Sequence, residues 1–250
     1  MKWTTTTGKL AAVPMLLLLV VKGLQASSDG RPQVTFFSEA LCPYCRAFTL
    51  DTLEPMFNKG VAKLMKLELV PWGNARLSPG PGNLTWSCQH GETECRLNSL
   101  LSCTTHHYPD QEEWFPYLAC LERGAITPAA QNMEQLSSKC AAVASMDPHT
   151  IWQCHTGPEG RALQLAAGMK TQALQPPHSG VPWVTMTSQH GGDSSHAVPL
   201  YDAADALLSL VCAAYGGKDR LPDACFEEPD PTLRAGRKCA HSMPELREQA

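Results

Sequence analysis

The sequence predicts an α/β domain interrupted by a helical insertion that disulfides staple together. Three observations carry this. An apolar, aromatic run at 34–37 leads into Cys42-Pro43-Tyr44-Cys45, and a helix-like segment and a second apolar run follow. From Glu94 to about Leu174 the pattern is helical and carries Cys95, Cys103, Cys120, Cys140 and Cys154. The chain then returns to an extended pattern at 181–186 and finishes on an amphipathic segment at 203–215.

Residues 34–37 (Val-Thr-Phe-Phe) have the β-branched and aromatic side chains of a strand. In 46–57 the apolar positions Phe48, Leu50, Leu53, Met56 and Phe57 fall near helical spacing, and Pro55 is expected to kink that helix or begin a new turn. Residues 63–70 read as a second strand, ended by Pro71-Trp72-Gly73-Asn74. Strand, helix and strand make a βαβ unit, whose crossover should be right-handed and its strands parallel. Residues 77–82 are Pro/Gly-rich. Within the insertion, Thr127-Pro128 and Asp147-Pro148 pair an N-cap with a first-turn proline, and Gly157-Pro158 opens a further helix. Five short helices bury little apolar surface by themselves, so bridges are the expected compensation. The proline of Val181-Pro182 is unwelcome in a central strand, which points to a special, cis bond. A Gly-rich turn at 189–195, a short edge strand at 197–200 and the last helix, ending at Gly216-Gly217, complete the reading.

The 250 residues suffice for one sizeable domain with an insertion, and a net charge of −4 gives no reason to expect a nucleic-acid partner. Residues 1–26 read as a secretory signal peptide: Lys2 and Lys9 precede an apolar core of about twelve residues, too short to span a bilayer. The expected organisation is therefore a signal peptide (1–26), a domain over 27–225 with its insertion at about 88–175, and a charged, removable tail over 226–250. Such a protein is soluble, without a membrane span, and lumenal or secreted. In that oxidising setting most of the eleven cysteines should be bridged. Cys88, Cys95, Cys103, Cys120, Cys140, Cys154, Cys212 and Cys225 are read as structural. The odd count leaves one thiol, such as Cys239 in the tail, for a disulfide-linked precursor dimer or for loss in processing. Asn83-Leu84-Thr85 is an N-glycosylation sequon, placing a glycan on Asn83.

The C-x-x-C sits where a strand hands over to a helix N-terminus. Unpaired N–H groups and the helix dipole favour a thiolate there, so the pair reads as a redox centre. A zinc half-site would need a second ligand pair of similar form, which the other cysteines do not offer. A plain structural bridge closes a small, strained ring. Cys42 should be the exposed nucleophile and Cys45 the resolving thiol one turn in. Arg46 either assists the sulfur or is a solvated helix residue. Glu39 would oppose ionisation, yet it reads as a strand-end surface residue. Asn98 is read as a packing or hydrogen-bonding residue, His106 and His107 as surface residues, and Trp72, Trp114 and Trp152 as core.

Cys88-Gln89-His90-Gly91-Glu92-Thr93-Glu94-Cys95-Arg96-Leu97-Asn98-Ser99-Leu100-Leu101-Ser102-Cys103 matches the C-Q-H-G-x-x-E-C-x-x-N-x-x-x-x-C signature of the gamma-interferon-inducible lysosomal thiol reductases (GILT). Pro71-Trp72-Gly73-Asn74-Ala75, Gln175-Pro176-Pro177-His178 and Val181-Pro182-Trp183-Val184-Thr185 also look like that family. The C-x-x-C after a strand, the late Val181-Pro182 and the final strand and helix resemble the thioredoxin fold, and the length of the insertion resembles the bacterial periplasmic disulfide oxidases. The resemblance covers about 34–225. It implies a thioredoxin-like α/β fold with a disulfide-stapled helical insertion. It also implies a glycoprotein of lysosomes and late endosomes, secreted in part, that reduces protein disulfides at acidic pH. In vertebrates such proteins open antigens for presentation by MHC class II molecules. No cofactor is implied beyond the Cys42–Cys45 pair, which an external small-molecule thiol reductant recycles.

By the same resemblance Pro182 should face the C-x-x-C, with the backbone of Val181 and the surface of Pro43 and Tyr44 meeting a disulfide-bonded protein substrate. Pro43-Tyr44 is more like a glutaredoxin dipeptide, and the dipeptide helps set the redox potential. Thioredoxin carries a buried carboxylate six residues before its first cysteine, and here that position is Phe36, which leaves the proton acceptor for Cys45 unassigned. Near pH 5 an ordinary thiol is only ~0.03% ionised, so a Cys42 pKa near 5 is expected. That costs about 5 kcal/mol, of which a helix N-terminus supplies at most ~2. Hydrogen bonds from the Cys45 thiol and from backbone N–H groups must supply the rest. His90 among three cysteines invites a metal, but an oxidising, acidic lumen disfavours one, and none is expected. Two other readings stand beside this one: a secretory-pathway oxidase or isomerase of the same fold, and a non-catalytic, disulfide-rich secreted binding protein.

Overall fold

Strand β1 (Gln33–Ser38) is buried along nearly its whole length, because it lies at the centre of the sheet and is covered on both faces. The computed structural model describes residues 29–80, 83–127, 131–187, 195–198 and 200–227; the side chains of Asn83 and of residues 195–205 lie outside that description. The segment read as a signal peptide, most of the 189–195 turn, Pro128, nearly all of the tail with Cys239, and the Asn83 side chain therefore fall outside it.

After β1 the chain runs through α1 (Pro43–Ala47), a π-helical stretch (Phe48–Leu53) and α2 (Glu54–Asn58). Pro55 stands at the start of α2, where the helical run passes from π to α pitch. Strand β2 (Lys66–Pro71) follows, three residues later than the periodicity suggested, because Val61–Leu64 forms a 3-10 turn instead. β1 and β2 are parallel, pairing Phe36 with Leu69. Next comes a hairpin that the sequence did not reveal, β3 (Arg76–Gly80) with β4 (Asn83–Ser87). Five helices then form the insertion: α3 (Glu92–His107), α4 (Gln111–Gly124), α5 (Met133–Val143), α6 (Pro148–Thr156) and α7 (Pro158–Gln172). Asp147 caps α6 and Pro158 opens α7, as read. Asn132 caps α5, so that helix starts past Thr127-Pro128. Strands β5 (Trp183–Thr187) and β6 (Ser195–Val198) are antiparallel additions, giving the order β2-β1-β5-β6, and α8 (Leu200–Ala214) closes the chain's return.

Four disulfides occur among the described residues, and they use all eight cysteines read as structural. Cys88–Cys95 closes the turn before α3, and Cys103–Cys154 ties α3 to α6. Cys120–Cys140 ties α4 to α5, and Cys212–Cys225 holds the segment after α8. Two glutamines join the insertion to the sheet. Gln111 Oε1 accepts from Leu67 N at 2.6 Å while its Nε2 donates to Ala62 O, and Gln164 Nε2 donates to Pro71 O and Ser102 Oγ. Trp72 and Trp114 are core residues, but Trp152 is only partly buried and leans on His155. Among the described residues no helix is long and apolar enough to cross a membrane.

Candidate active site

The turn between β1 and α1 presents the two thiols. Cys42 is the N-cap of α1 and its Sγ accepts from Cys45 N at 3.5 Å. Pro43 holds the first helical position, and Leu41 is left-handed (φ 69°), a conformation that costs a branched residue of order 1–3 kcal/mol and must be held from outside. Cys42 and Cys45 are both unbridged. Cys42 is not the exposed sulfur that the sequence suggested: it is 5% accessible against 0% for Cys45, because the loop before β5 lies over it. Cys42 Sγ sits 3.8 Å from Val181 O, across a cis Val181–Pro182 bond, so the proline loop does face the pair. The Val181 carbonyl is engaged by the thiol. Pro43 and Tyr44 are exposed at the rim. Beside the loop an open cleft of about 540 Å³ is lined by Asn74, Arg76, Gln89, Ser179 and Gly180, among others.

The thiols are driven apart in acidity. The Cys42 pKa is lowered to about 7, first by the hydrogen bond from the Cys45 thiol, then against burial by the N–H groups of Cys45 and Tyr44, with the Glu39 charge opposing. The Cys45 thiol is pushed well above its ordinary value by burial and by its neighbour. The sources of thiolate stabilisation are those expected, while the value falls short of the expected 5. Arg46 does not act on the sulfur: its Nε donates to Glu122 O at 3.3 Å, bridging α1 to α4.

Glu39 is a second correction. It is 1% exposed, not a surface residue, because its carboxylate accepts from Asn74 N at 2.7 Å and from Asn74 Nδ2 at 3.3 Å. Gly73 (φ 63°) makes room for it; a Cβ there would lie 2.2 Å from Glu39 Oε2. Burial raises the Glu39 pKa. The cysteine-flanked motif lies against this turn. Glu94 Oε2 accepts from His90 N at 2.6 Å and lies 2.8 Å from His90 Nδ1, and Asn98 Nδ2 donates to Glu94 Oε1. Asn98 Oδ1 in turn accepts from Ala40 N at 2.8 Å, two residues before Cys42. Donor atoms of Glu39, His90 and Glu94 come within 4.8 Å of one another, a grouping of metal-ligating type, although each is already hydrogen-bonded within the protein or to its neighbour.

A family model described as "Gamma interferon inducible lysosomal thiol reductase (GILT)" matches residues 33–144. An Arabidopsis thaliana gamma-interferon-responsive lysosomal thiol protein is 35% identical over 211 residues, covering 84% of this chain and 82% of its own. The gamma-interferon-inducible lysosomal thiol reductases of Carassius auratus and Mus musculus are 38% and 34% identical, covering 77% and 79% of this chain and 71% and 73% of theirs. This chain belongs to the GILT family. The crystal structure of a candidate protein disulfide isomerase from Nitrosomonas europaea covers 74% of this chain and all of its own, with a TM-score of 0.51 at 16% identity, in keeping with the thioredoxin-like fold.

In this GILT-family chain the signature motif thus does structural service to the C-x-x-C turn, through Asn98 and Glu94. One residue near the site escaped the sequence reading altogether. Glu122 of α4 is 2% exposed with Oε1 unpartnered, and burial pushes its carboxyl up to about 8, helped by the Cys42 charge and opposed by Arg46. Its signal was present. It stands seven residues after Phe115 and four after Leu118, in the apolar stripe of α4.

Proposed function

We propose that the protein reduces disulfide bonds in protein substrates by thiol–disulfide exchange, with Cys42 as nucleophile and Cys45 as resolving thiol. The observation that carries this is the asymmetry of the free pair: a Cys42 thiol lowered to about 7 at a helix mouth, beneath the cis Val181–Pro182 loop, beside a buried Cys45 held protonated. Cys42 thiolate attacks one substrate sulfur and the substrate S–S bond breaks. The other substrate sulfur leaves in that step; Cys45 then bonds to Cys42 and expels the sulfur that Cys42 had bound. Two electrons leave the pair, and an external small-molecule thiol restores it.

The family resemblance and the family name support a setting in lysosomes or late endosomes, reached through the secretory pathway with a glycan on Asn83, and partial secretion. There the reaction would open disulfide-bonded antigens for proteolysis and MHC class II presentation. At about pH 5 a thiol of pKa about 7 is ~1% ionised, some thirty times more than a free cysteine. Weaker nucleophilicity of the more acidic thiol returns about four- to six-fold of that, leaving a net gain of roughly five- to eight-fold. The exposed rim of Pro43 and Tyr44 and the backbone around Val181 would meet the substrate. The test is reduction of a disulfide-bonded protein at acidic and neutral pH. Cys42→Ser should be inactive and Cys45→Ser should accumulate a mixed disulfide; turnover by Cys42→Ser would refute the assignment.

A further inference from the structure

Disulfide reduction moves protons as well as electrons, and Phe36 stands where related folds keep a carboxylate for that purpose. The insertion brings one from elsewhere. Phe115, Leu118 and Glu122 share one buried face of α4, and α4 packs on the π-helical stretch that continues the helix carrying Cys45. Phe115 stacks on Phe57 at 3.8 Å, and Arg46, next to Cys45, donates to the Glu122 carbonyl. Glu122 is almost fully enclosed, and Oε1 has no hydrogen-bond partner. A buried carboxyl with an unpartnered oxygen is costly to keep for packing alone, since burial without a bond costs about 1–3 kcal/mol.

We propose that Glu122 is the proton reservoir of the Cys42–Cys45 pair, giving a proton to the first departing substrate sulfur and then taking the proton that Cys45 sheds. This rests on the reductase reading above. In the first step Cys42 Sγ bonds to one substrate sulfur, the substrate S–S bond breaks, and the released sulfur is protonated at the expense of Glu122, which becomes a carboxylate. In the second the carboxylate accepts the Cys45 proton, Cys45 Sγ bonds to Cys42 Sγ, and the Cys42–substrate bond breaks to release a thiolate. Two electrons pass from the cysteines to the substrate, and Glu122 ends protonated as it began. The order follows from charge. While Cys42 is an anion it holds the proton on Glu122; once Cys42 is in a mixed disulfide that hold is gone. The other charges acting on these groups are Arg46 on α1 and Glu39 before the turn, while Arg123, next to Glu122 in the chain, is paired with Glu54.

The test compares reduced wild type with Glu122→Gln, an isosteric change, in single-turnover reduction of a disulfide-bonded peptide across about pH 4 to 9. General acid–base assistance is typically worth 10²–10⁴-fold, so at least a tenfold slower turnover is expected, with a mixed disulfide accumulating and a pH limb lost. Alkylation of Cys42 at about pH 6, where Glu122 is neutral in the reduced protein, should change less than about twofold. A purely structural role would lower alkylation and turnover together and leave the shape of the pH profile intact, which would overturn the proposal. So would turnover within about twofold of wild type. Should the variant not fold, infrared difference spectra of wild type decide: a neutral-carboxyl band must change between the dithiol and disulfide states, and its absence overturns the proposal. If wild type itself reduces nothing, or Cys42→Ser matches it, the reductase reading fails instead.

Discussion

Asn98→Ala removes the clamp that the signature motif places on the redox turn. The side chain is fully buried, its Oδ1 accepts from Ala40 N at 2.8 Å, and its Nδ2 donates to Glu94 at 3.4 Å. Alanine orphans the enclosed Ala40 N–H, worth about 1–3 kcal/mol, and leaves a small cavity and a poorer environment for Glu94. The expected loss is about 3 kcal/mol, or a fall in Tm of roughly 6–12 °C for a domain of this size. The chemistry should suffer as well. Leu41 is held left-handed between Ala40 and Cys42, and without the clamp it can relax and take the Cys42 cap geometry with it. The assay pairs a near-ultraviolet melt with the rate of Cys42 alkylation at neutral pH. A variant that melts within about 1 °C of wild type and alkylates at the same rate would show that the motif does not support the turn in the way argued.

Three further outcomes follow from the same structure. His155 is kept neutral, its pKa lowered to about 4 by burial and by Arg96, so the stability it allows is complete above about 6.5 and is lost as pH falls toward about 4; His155→Gln should flatten that loss in melts at pH 7 and pH 5. Glu122 has the opposite sign: a carboxyl raised to about 8 favours the fold below its unfolded pKa of ~4.3, an advantage that fades up to about pH 8, and Glu122→Gln should remove the fading from denaturant titrations. Replacing both members of Cys103–Cys154, whose sequence separation is 51, should cost about 4 kcal/mol, against roughly 3.3 for Cys120–Cys140 with its separation of 20. Equal losses from the two would speak against a chain-entropy origin.

The parts of the molecule legible in the sequence are those fixed by neighbours along the chain. Val34, Phe36 and Phe37 declare β1, the Cys42 cap and Pro43 open α1, and Asp147-Pro148 and Gly157-Pro158 mark α6 and α7. The β3–β4 hairpin was hidden because its Pro79 and Gly80 read as breakers. Glu39 was misplaced because its burial depends on Asn74, 35 residues away, and on His90 of the insertion. The role of Arg46 stayed open for the same reason, since its partner belongs to α4. Disulfide pairing was illegible too: Cys103 and Cys154 meet only once α3 and α6 are packed. Distant contacts, then, decided the electrostatics of the site.

The account rests on a Cys42 anion sustained by the Cys45 thiol and the N–H groups of the turn. Ultraviolet titration of the thiolate in reduced wild type and in Cys45→Ala tests it most directly. Wild type should ionise with a midpoint of about 7, and the variant should move measurably upward toward the ~8.5 of a free cysteine. A wild-type midpoint already at ~8.5, or a variant that titrates like wild type, would contradict it.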